Sequence, residues 1–305
     1  MSSLSIHLLE QLESFLKICE FSESDREVIR KEASECWYLH VREEGCDLPG
    51  SSRMCGLPDL PQGMDWPQGR RGPLLFVMQL RLDQAAGTLP YDMPDHGMLY
   101  FFVEDDELAR NVKHKLIWVE DISSLQTVEQ PLGPDTKGTS THQDNLFPHA
   151  IEIVHGVDVP IWNLRNLDCD GRDDTADLME RFESLLKGTS DPEGTAGKFF
   201  GHQSRDRHDY LESMALLSLS SSDSKPLSAV GHDAWERLKV TAEAYSNSPD
   251  QIEKEMNEWC QFLRIDSNFA VGFNIWDAGS YQIMLRHSDI VKRDFSKSHA
   301  MLETC

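Results

Sequence analysis

The feature that most constrains the fold is a stretch rich in proline and glycine, followed by an apolar, strand-like segment. Residues 45–73 contain five prolines and six glycines. Because proline lacks an N–H and fixes φ, this stretch excludes a helix and a central strand. Four apolar side chains punctuate it: Leu57, Leu60, Met64 and Trp66. We therefore predict an ordered meander that packs on a sheet, with Trp66 buried.

Strand patterns follow the meander. Residues 76–82 carry an apolar side chain at every second position, which is the spacing of one face of a strand. Residues 98–103 are apolar or aromatic throughout, as in a strand covered on both faces. The predicted strands are 76–82, 98–103, 115–119, 151–154, 157–162 and the region from Trp259 to the tail.

Helical periodicity occurs in other parts of the chain. Residues 8–19 repeat apolar side chains at three- and four-residue steps, which predicts an N-terminal helix. Ser24 and Glu27 have the spacing of a capping box, so a second helix should begin at Ser24. Residues 173–186 and 234–245 also have a helical pattern.

These elements predict an α+β fold that is mainly β, with peripheral N-terminal helices. Short strands joined by proline and glycine turns, without alternating βαβ units, indicate this class. We expect a helical extension over residues 1–44 and one main domain over residues 45–305.

The chain contains an internal echo of one strand pattern. Aligning Arg81 with Arg264 also places Asp83 on Asp266. A glycine follows each aspartate, 14 residues later in the first copy and 13 in the second, and each glycine opens a further apolar strand. A repeated strand, loop, glycine and strand predicts a duplicated β unit.

Several segments resemble the YwqG-like family of bacterial and eukaryotic proteins. They are Gly-Leu-Pro-Asp-Leu-Pro at 56–61, Trp-Pro at 66–67, Gly-Met-Leu-Tyr-Phe-Phe at 97–102 and Trp-Asp-Ala-Gly at 276–279. The resemblance implies a YwqG-like fold with two related antiparallel β units, over about 56–119 and 255–296. It implies no activity, because that family has none that is settled.

The echo also supplies the candidate ligand-binding residues, which are Arg81, Asp83, Arg264, Asp266 and Asp277. Residues i and i+2 share a face of a strand, so each arginine lies beside its aspartate. If a pseudo-two-fold axis relates the copies, both pairs border one cleft and could grip a polar ligand. Alternatively they are ion pairs at strand ends. Asp277 either forms the turn before the last strand or contributes to binding.

No sequence motif indicates a cofactor or a catalytic centre. The chain lacks a Gly-x-Ser-x-Gly elbow, a His-Glu-x-x-His helix and a Gly-x-Gly-x-x-Gly turn. His202, Asp206 and His208 are metal-ligand types, but their spacing fits no recognised zinc arrangement. We predict no metal and no cofactor, and we favour a protein that is not an enzyme.

Charge and cysteine usage bound the partners and the compartment. Lys and Arg total 29 against 52 Asp and Glu, a net charge of -23. This charge repels phosphate backbones, which argues against nucleic-acid binding, and it suits a basic protein partner. The seven cysteines include no Cys-x-x-Cys pair, which predicts reduced thiols and a cytoplasmic location. No segment has the length and hydropathy of a membrane span, so no membrane association is expected.

These arguments favour a non-catalytic binding or interaction protein. Some genes of the YwqG-like family lie near polymorphic toxin systems, so the resemblance implies an immunity- or antitoxin-like role against a basic partner. The first alternative is a small-ligand binder or unrecognised enzyme that uses a cleft between the two β units. The second is a scaffold without a deep pocket. A concentrated acidic patch would favour the partner, and a deep polar cleft the ligand.

Overall fold

A computed structural model describes most of the chain. The described residues are 4–42, 48–104, 112–131, 141–143, 148–160, 175–189, 194–203, 207–220, 249–276 and 278–303. The helices are α1 (Ile6–Ile18), α2 (Glu23–Glu32), α3 (Thr175–Lys187), α4 (Arg207–Ser220), α5 (Pro249–Met256) and α6 (His287–Val291). Two 3-10 helices span Leu82–Gln84 and Phe295–Lys297.

Strands dominate the architecture. They are β1 (Ser34–Arg42), β2 (Arg53–Met54), β3 (Asp59–Pro61), β4 (Leu75–Arg81), β5 (Met98–Val103), β6 (His114–Val119), β7 (Leu125–Thr127), β8 (Thr141–Gln143), β9 (His149–Asp158), β10 (Thr195–Phe200), β11 (Trp259–Asp266), β12 (Phe273–Ile275), β13 (Ser280–Arg286) and β14 (His299–Glu303). Ten of them form one antiparallel sheet in the order β14-β13-β11-β10-β1-β9-β2-β4-β5-β6. The predicted class, α+β and mainly β, is confirmed.

The large sheet curls around its own core. Inner-face side chains of all ten strands join one hydrophobic cluster. The two edges of the sheet meet, because the N–H of Val112, just before β6, donates to the carbonyl of Ala300 in β14 at 2.9 Å. The rings of Phe101 and Tyr281, from opposite halves of the sheet, lie 5.9 Å apart. Curling lets an antiparallel sheet bury one whole face without a second sheet.

Three smaller clusters cover the outer face. Helices α1, α2 and α3 pack over β9. The proline-rich meander and β7 cover β4, β5 and β6. Helix α4, which packs on α5, covers β11, β13 and β14. Between α3 and α4, the outer face of β1, β10 and β11 borders a cavity, described below.

Most of the predicted elements agree with the structure. The strands predicted at 76–82, 98–103, 115–119 and 151–154 correspond to β4, β5, β6 and β9, and the helix at 173–186 corresponds to α3. Trp66 is 7% exposed, and its indole N–H donates to the carbonyl of Leu74 at 2.9 Å. The described part of the meander, residues 48–73, is thus ordered as predicted. The helix predicted at 234–245 lies outside the described residues.

The N-terminal prediction is wrong for residues 34–42. The sequence predicts a helical extension over residues 1–44, but residues 34–42 form β1, in the middle of the sheet between β10 and β9. The strand is buried on both faces from Cys36 to His40. Its sequence nevertheless alternates, with apolar residues at 37, 39 and 41 and polar residues at 38, 40 and 42, and this strand signal was overlooked. Whether residue 45 begins a separate domain stays a prediction.

Two local predictions also need correction. The cap of α2 is Ser22, two residues earlier than predicted, and its hydroxyl accepts from the N–H of Asp25 at 3.2 Å. The exclusion of a central strand from residues 45–73 fails at β2, which bridges β9 and β4 over two residues. The nearest prolines, Pro49 and Pro58, leave Arg53 and Met54 free to donate their N–H groups.

Candidate functional site

A cavity of about 260 Å³ lies on the outer face of the sheet, beside the C-terminal end of α3. Strands β1, β9, β10 and β11 and the turn after β10 contribute to its wall. The charged residues of the wall include Asp158, Glu183, Lys187, Lys198, Arg264 and Asp266. We call Asp158, Lys198, His202, Arg264 and Asp266 the Asp158 cluster.

Asp158 ends β9 and is 6% exposed. Its Oδ2 atom accepts from the ammonium of Lys198 at 2.5 Å and from the backbone N–H of His202 at 2.6 Å. Burial by itself raises the pKa of Asp158, but the Lys198 charge and these two hydrogen bonds together hold the pKa below its usual value. Asp158 is therefore an anion that the fold stabilises.

A row of polar side chains crosses the sheet at this level. Tyr38 of β1 pairs with Lys198 of β10, which pairs with Arg264 of β11 and then with Gln282 of β13. Directly opposite residues lie about 5 Å apart, so the row places two cations side by side. Arg264 donates from Nε to Asp266 at 2.6 Å, which offsets that repulsion.

A tight turn after β10 delivers the N–H of His202 to Asp158. Phe200 and Gly201 both have positive φ, +56° and +79°. A Cβ on Gly201 would lie 2.5 Å from Oδ2 of Asp158. Only glycine permits both this backbone conformation and this approach. The imidazole Nε2 of His202 lies 2.6 Å from the carbonyl of Glu32, so Nε2 carries the proton and donates.

The last turn of α3 supplies the third ion pair of the cavity. Lys187 contacts Glu183 at 2.6 Å, four residues earlier in the helix. The carbonyl of Lys187 lies 2.6 Å from Nε2 of His40 in β1, and Gly188, with φ +68°, ends the helix. The cavity is thus bordered by three cations, each beside a carboxylate.

The predicted cleft between two Arg-Asp pairs does not exist. Arg264 and Asp266 line the cavity, but Arg81 and Asp83 do not. The order of the sheet explains this result, because β10, β1, β9 and β2 lie between β11 and β4. Five strand spacings amount to about 24 Å along the sheet. Arg81 and Asp83 instead pair with each other at 2.8 Å near the end of β4.

The hairpin register also corrects the alignment of the two copies. Each hairpin has a bulge in its first strand, two residues before Gln79 in one and two residues before Arg264 in the other. Gln79 then pairs with Tyr100 as Arg264 pairs with Gln282. Arg264 therefore occupies the position of Gln79, not that of Arg81. The shared bulge and pairing are compatible with a duplicated unit, which stays a prediction.

The remaining predicted site residues are only partly described. Asp277 and Asp206 lie outside the described residues. Of the three potential metal ligands, His202 has a described side chain, and it belongs to the Asp158 cluster. Within the described part of the chain, no group of three His, Cys, Asp or Glu side chains is placed to hold a metal ion.

A second buried network explains the Gly-Leu-Pro-Asp-Leu-Pro segment. Asp59 is fully buried and every polar atom of this residue has a partner. These partners are the N–H of Gly50 and the side chains of Arg53, Gln79, Tyr100 and Thr127. We call these four side chains with Asp59 the Asp59 network. It fastens the meander to β4, β5 and β7, so this segment is structural.

The sequence signal for the cavity was incomplete. Arg264 and Asp266 were predicted because they form a motif, whereas Asp158 and Lys198 were missed because they stand 40 residues apart on different strands. The available signal was the set of glycines at 194, 197 and 201 around Lys198, but it identifies no partner without the register.

The fold and the cavity define the class of the protein: an α+β protein with one curled antiparallel sheet and an ion-paired cavity on its outer face. Residues 52–304 match the family described as "Domain of unknown function (DUF1963)", and the chain belongs to this family. No curated protein matches the chain. None of the helices in the described ranges is long and apolar enough to cross a membrane.

Proposed function

We propose that this chain is a non-catalytic binding protein whose ligand site is the cavity of the Asp158 cluster. The observation that carries this proposal is the convergence of three ion pairs on one cavity of about 260 Å³. That volume lies just below the usual range for drug-sized ligands, about 300–1,000 Å³. It suits a small polar molecule whose charged groups form ion pairs with the cations and carboxylates of the wall.

The ionisation of neighbouring groups supports binding rather than catalysis. Burial raises the pKa of the Cys36 thiol and of the Tyr38 hydroxyl well above their usual values. Both groups are therefore neutral, and a neutral buried thiol is a poor nucleophile. The hydroxyl of Tyr38 donates to the carbonyl of Val157 at 3.0 Å. The charged groups that remain are suited to holding a ligand.

A ligand screen with matched variants tests this proposal. Arg264→Ala removes one cation from the cavity wall, and Arg81→Ala removes the same chemistry from an Arg-Asp pair outside the cavity. A ligand at a hundredfold excess over its Kd adds about 2.7 kcal/mol to the free energy of unfolding. We expect small polar compounds that raise the Tm of the wild type and of Arg81→Ala, but not of Arg264→Ala. Compounds that raise the Tm of Arg264→Ala as much as that of the wild type would show that the ligand binds elsewhere.

A basic protein partner is the second candidate function. The net charge of -23 favours it, because an acidic surface attracts a basic protein and raises its association rate. The YwqG-like resemblance suggests an immunity- or antitoxin-like role in the cytoplasm. Capture of partners at low salt, followed by association rates across a salt series, tests this function. An association rate that does not fall as salt rises would contradict it.

A further inference from the structure

A second cavity lies where the two edges of the curled sheet meet. We call it the seam cavity. It has a volume of about 210 Å³, and its wall includes Arg70, Lys113, His114, Lys115, Ser296 and Ser298. One side belongs to β6 and the residues just before it, and the other to the segment that enters β14. No carboxylate side chain is among the lining residues in the described part of the chain.

The seam cavity is basic in a strongly acidic protein. Arg70, which the meander contributes to the wall, is paired with the buried carboxylate of Glu104 at 3.2 Å. Lys113 and Lys115 are two residues apart, and neither makes an ion pair with another described residue. In the Asp158 cluster, by contrast, Lys198 and Arg264 each have a carboxylate partner. With 52 acidic residues against 29 basic ones, most lysines and arginines can find a carboxylate partner. Because no described residue pairs with these two lysines, they leave positive charge available to a ligand.

The floor of the seam cavity is rigid. Burial lowers the pKa of His114 to about 4, so its imidazole is neutral near pH 7. Its Nδ1 donates to the carbonyl of Val112 at 2.9 Å, and its Nε2 accepts from the hydroxyl of Ser298 at 2.8 Å. Together with the bond between Val112 and Ala300, these contacts hold the two sides of the seam at a fixed separation. A ligand would meet a preformed site.

We propose that the seam cavity binds a small oxyanion, phosphate or sulfate, through Lys113 and Lys115. An ammonium bound to an oxyanion makes a charge-assisted hydrogen bond, which is stronger than a neutral one. The cavity is too small for a long ligand, so either the free anion or one phosphate group of a larger molecule would occupy it. This site is separate from the cavity of the Asp158 cluster, and its test does not depend on that proposal.

Titration calorimetry with inorganic phosphate and with sulfate, at constant ionic strength with chloride as the balancing anion, tests the seam cavity. The variant Lys113→Ala/Lys115→Ala should lose affinity by about tenfold or more, because each charge-assisted bond contributes measurably. The control Lys17→Ala/Lys31→Ala changes the net charge equally at two exposed lysines of α1 and α2, and should bind as the wild type does. The variant Lys113→Arg/Lys115→Arg should retain binding.

Two results would overturn the proposal. One is the absence of any binding heat beyond that of chloride in the wild type. The other is an equal loss of affinity in both alanine variants, which would show a response to net charge alone. Unfolding curves of each variant at the same pH exclude misfolding as the cause, and retained binding in the arginine variant identifies the positive charge as the determinant.

Discussion

Asp59 and Asp158 are both buried aspartates beside a cation, yet their surroundings differ. The side chains of Arg53 and Asp59 are 6% and 0% exposed, and the Asp59 network contains its own partners for every polar atom of Asp59. The side chains of Lys198 and Asp158 are 11% and 8% exposed, and both face a cavity. Each region thus contains a buried pair of an aspartate and a cation. The Arg53–Asp59 pair is enclosed by protein, whereas the Lys198–Asp158 pair borders a cavity.

The comparison separates a structural use of a buried charge from a binding use. A buried pair stabilises the fold only when its hydrogen bonds are nearly complete. In the Asp59 network every polar atom of Asp59 has a partner without a ligand, and among the described residues only the buried Nε of Arg53 lacks one. At Asp158 the cavity leaves room for further partners. The segment 56–61 therefore holds the meander on the sheet, whereas the residues proposed to bind a ligand lie on β9, β10 and β11.

The largest effect is expected at the enclosed aspartate. Asp59→Asn leaves the guanidinium of Arg53 buried without its counter-charge, and breaking a buried pair costs about 3 to 5 kcal/mol. Urea unfolding of the variant and the wild type measures this loss. A loss below about 1 kcal/mol would show that water or another group replaces the carboxylate, and the contrast with Asp158 would fail.

A smaller effect is expected from Gly201→Ala, at the turn that serves Asp158. The alanine would have to keep a positive φ, and its Cβ would displace the carboxylate of Asp158. Together these effects should lower the free energy of unfolding by about 2 to 3 kcal/mol. Gly63→Ala is the control, because Gly63 also has positive φ but its Cβ would meet nothing within 4 Å. It should lose about 1 kcal/mol. Equal losses in the two variants would mean that the approach to Asp158 is not tight.

Asp158→Asn should cost less than Asp59→Asn, about 1 to 2 kcal/mol, because water in the cavity can solvate Lys198. The variant should also lose any ligand that depends on the cluster. Thermal unfolding with and without a hit from the screen measures both effects. A cost as large as that of Asp59→Asn would make the Asp158 cluster a structural element like the Asp59 network.

The smallest expected effect is on the pH dependence of the free energy of unfolding, through His202. Burial lowers the pKa of His202 below its usual value, so between the folded and unfolded pKa values the unfolded chain binds more protons. Stability is therefore present above the unfolded pKa, about 6.5, and falls as the pH is lowered through that value. His202→Gln should flatten the dependence of the free energy of unfolding on pH between 7 and 5. An unchanged slope would show that His202 is not buried in this way.

The sequence predicted elements that carry their own pattern. β4 alternates and β5 is a continuous apolar run, so both were recognised. β1 also alternates, with Trp37 and Leu39 in the core and His40 against α3, but it follows two helices directly and was included with them. The candidate site followed the same rule. Arg264 and Asp266 are neighbours in the sequence and were found, but their contact with the Asp158 region depends on the pairing of Lys198 with Arg264.

The error at Arg81 has a physical cause as well. A repeated motif identifies similar local structure, but the order of strands decides which copies lie together. Four strands intervene between β4 and β11, and all four, β10, β1, β9 and β2, come from parts of the chain outside both copies. An alignment of the two copies with each other cannot show that strands from other parts of the chain lie between them.

The most direct test of the account is a map of ligand-induced changes in amide ¹H–¹⁵N spectra, recorded with compounds that raise the Tm. We predict that the amide signals of Gly197, Lys198, His202 and Arg264 shift with a single saturation curve, while those of Gly50, Asp59 and Gln79 stay in place. Shifts concentrated in the meander, or no shifts around Lys198 and Arg264 with any stabilising compound, would contradict the assignment of the accessible ion pairs to ligand binding.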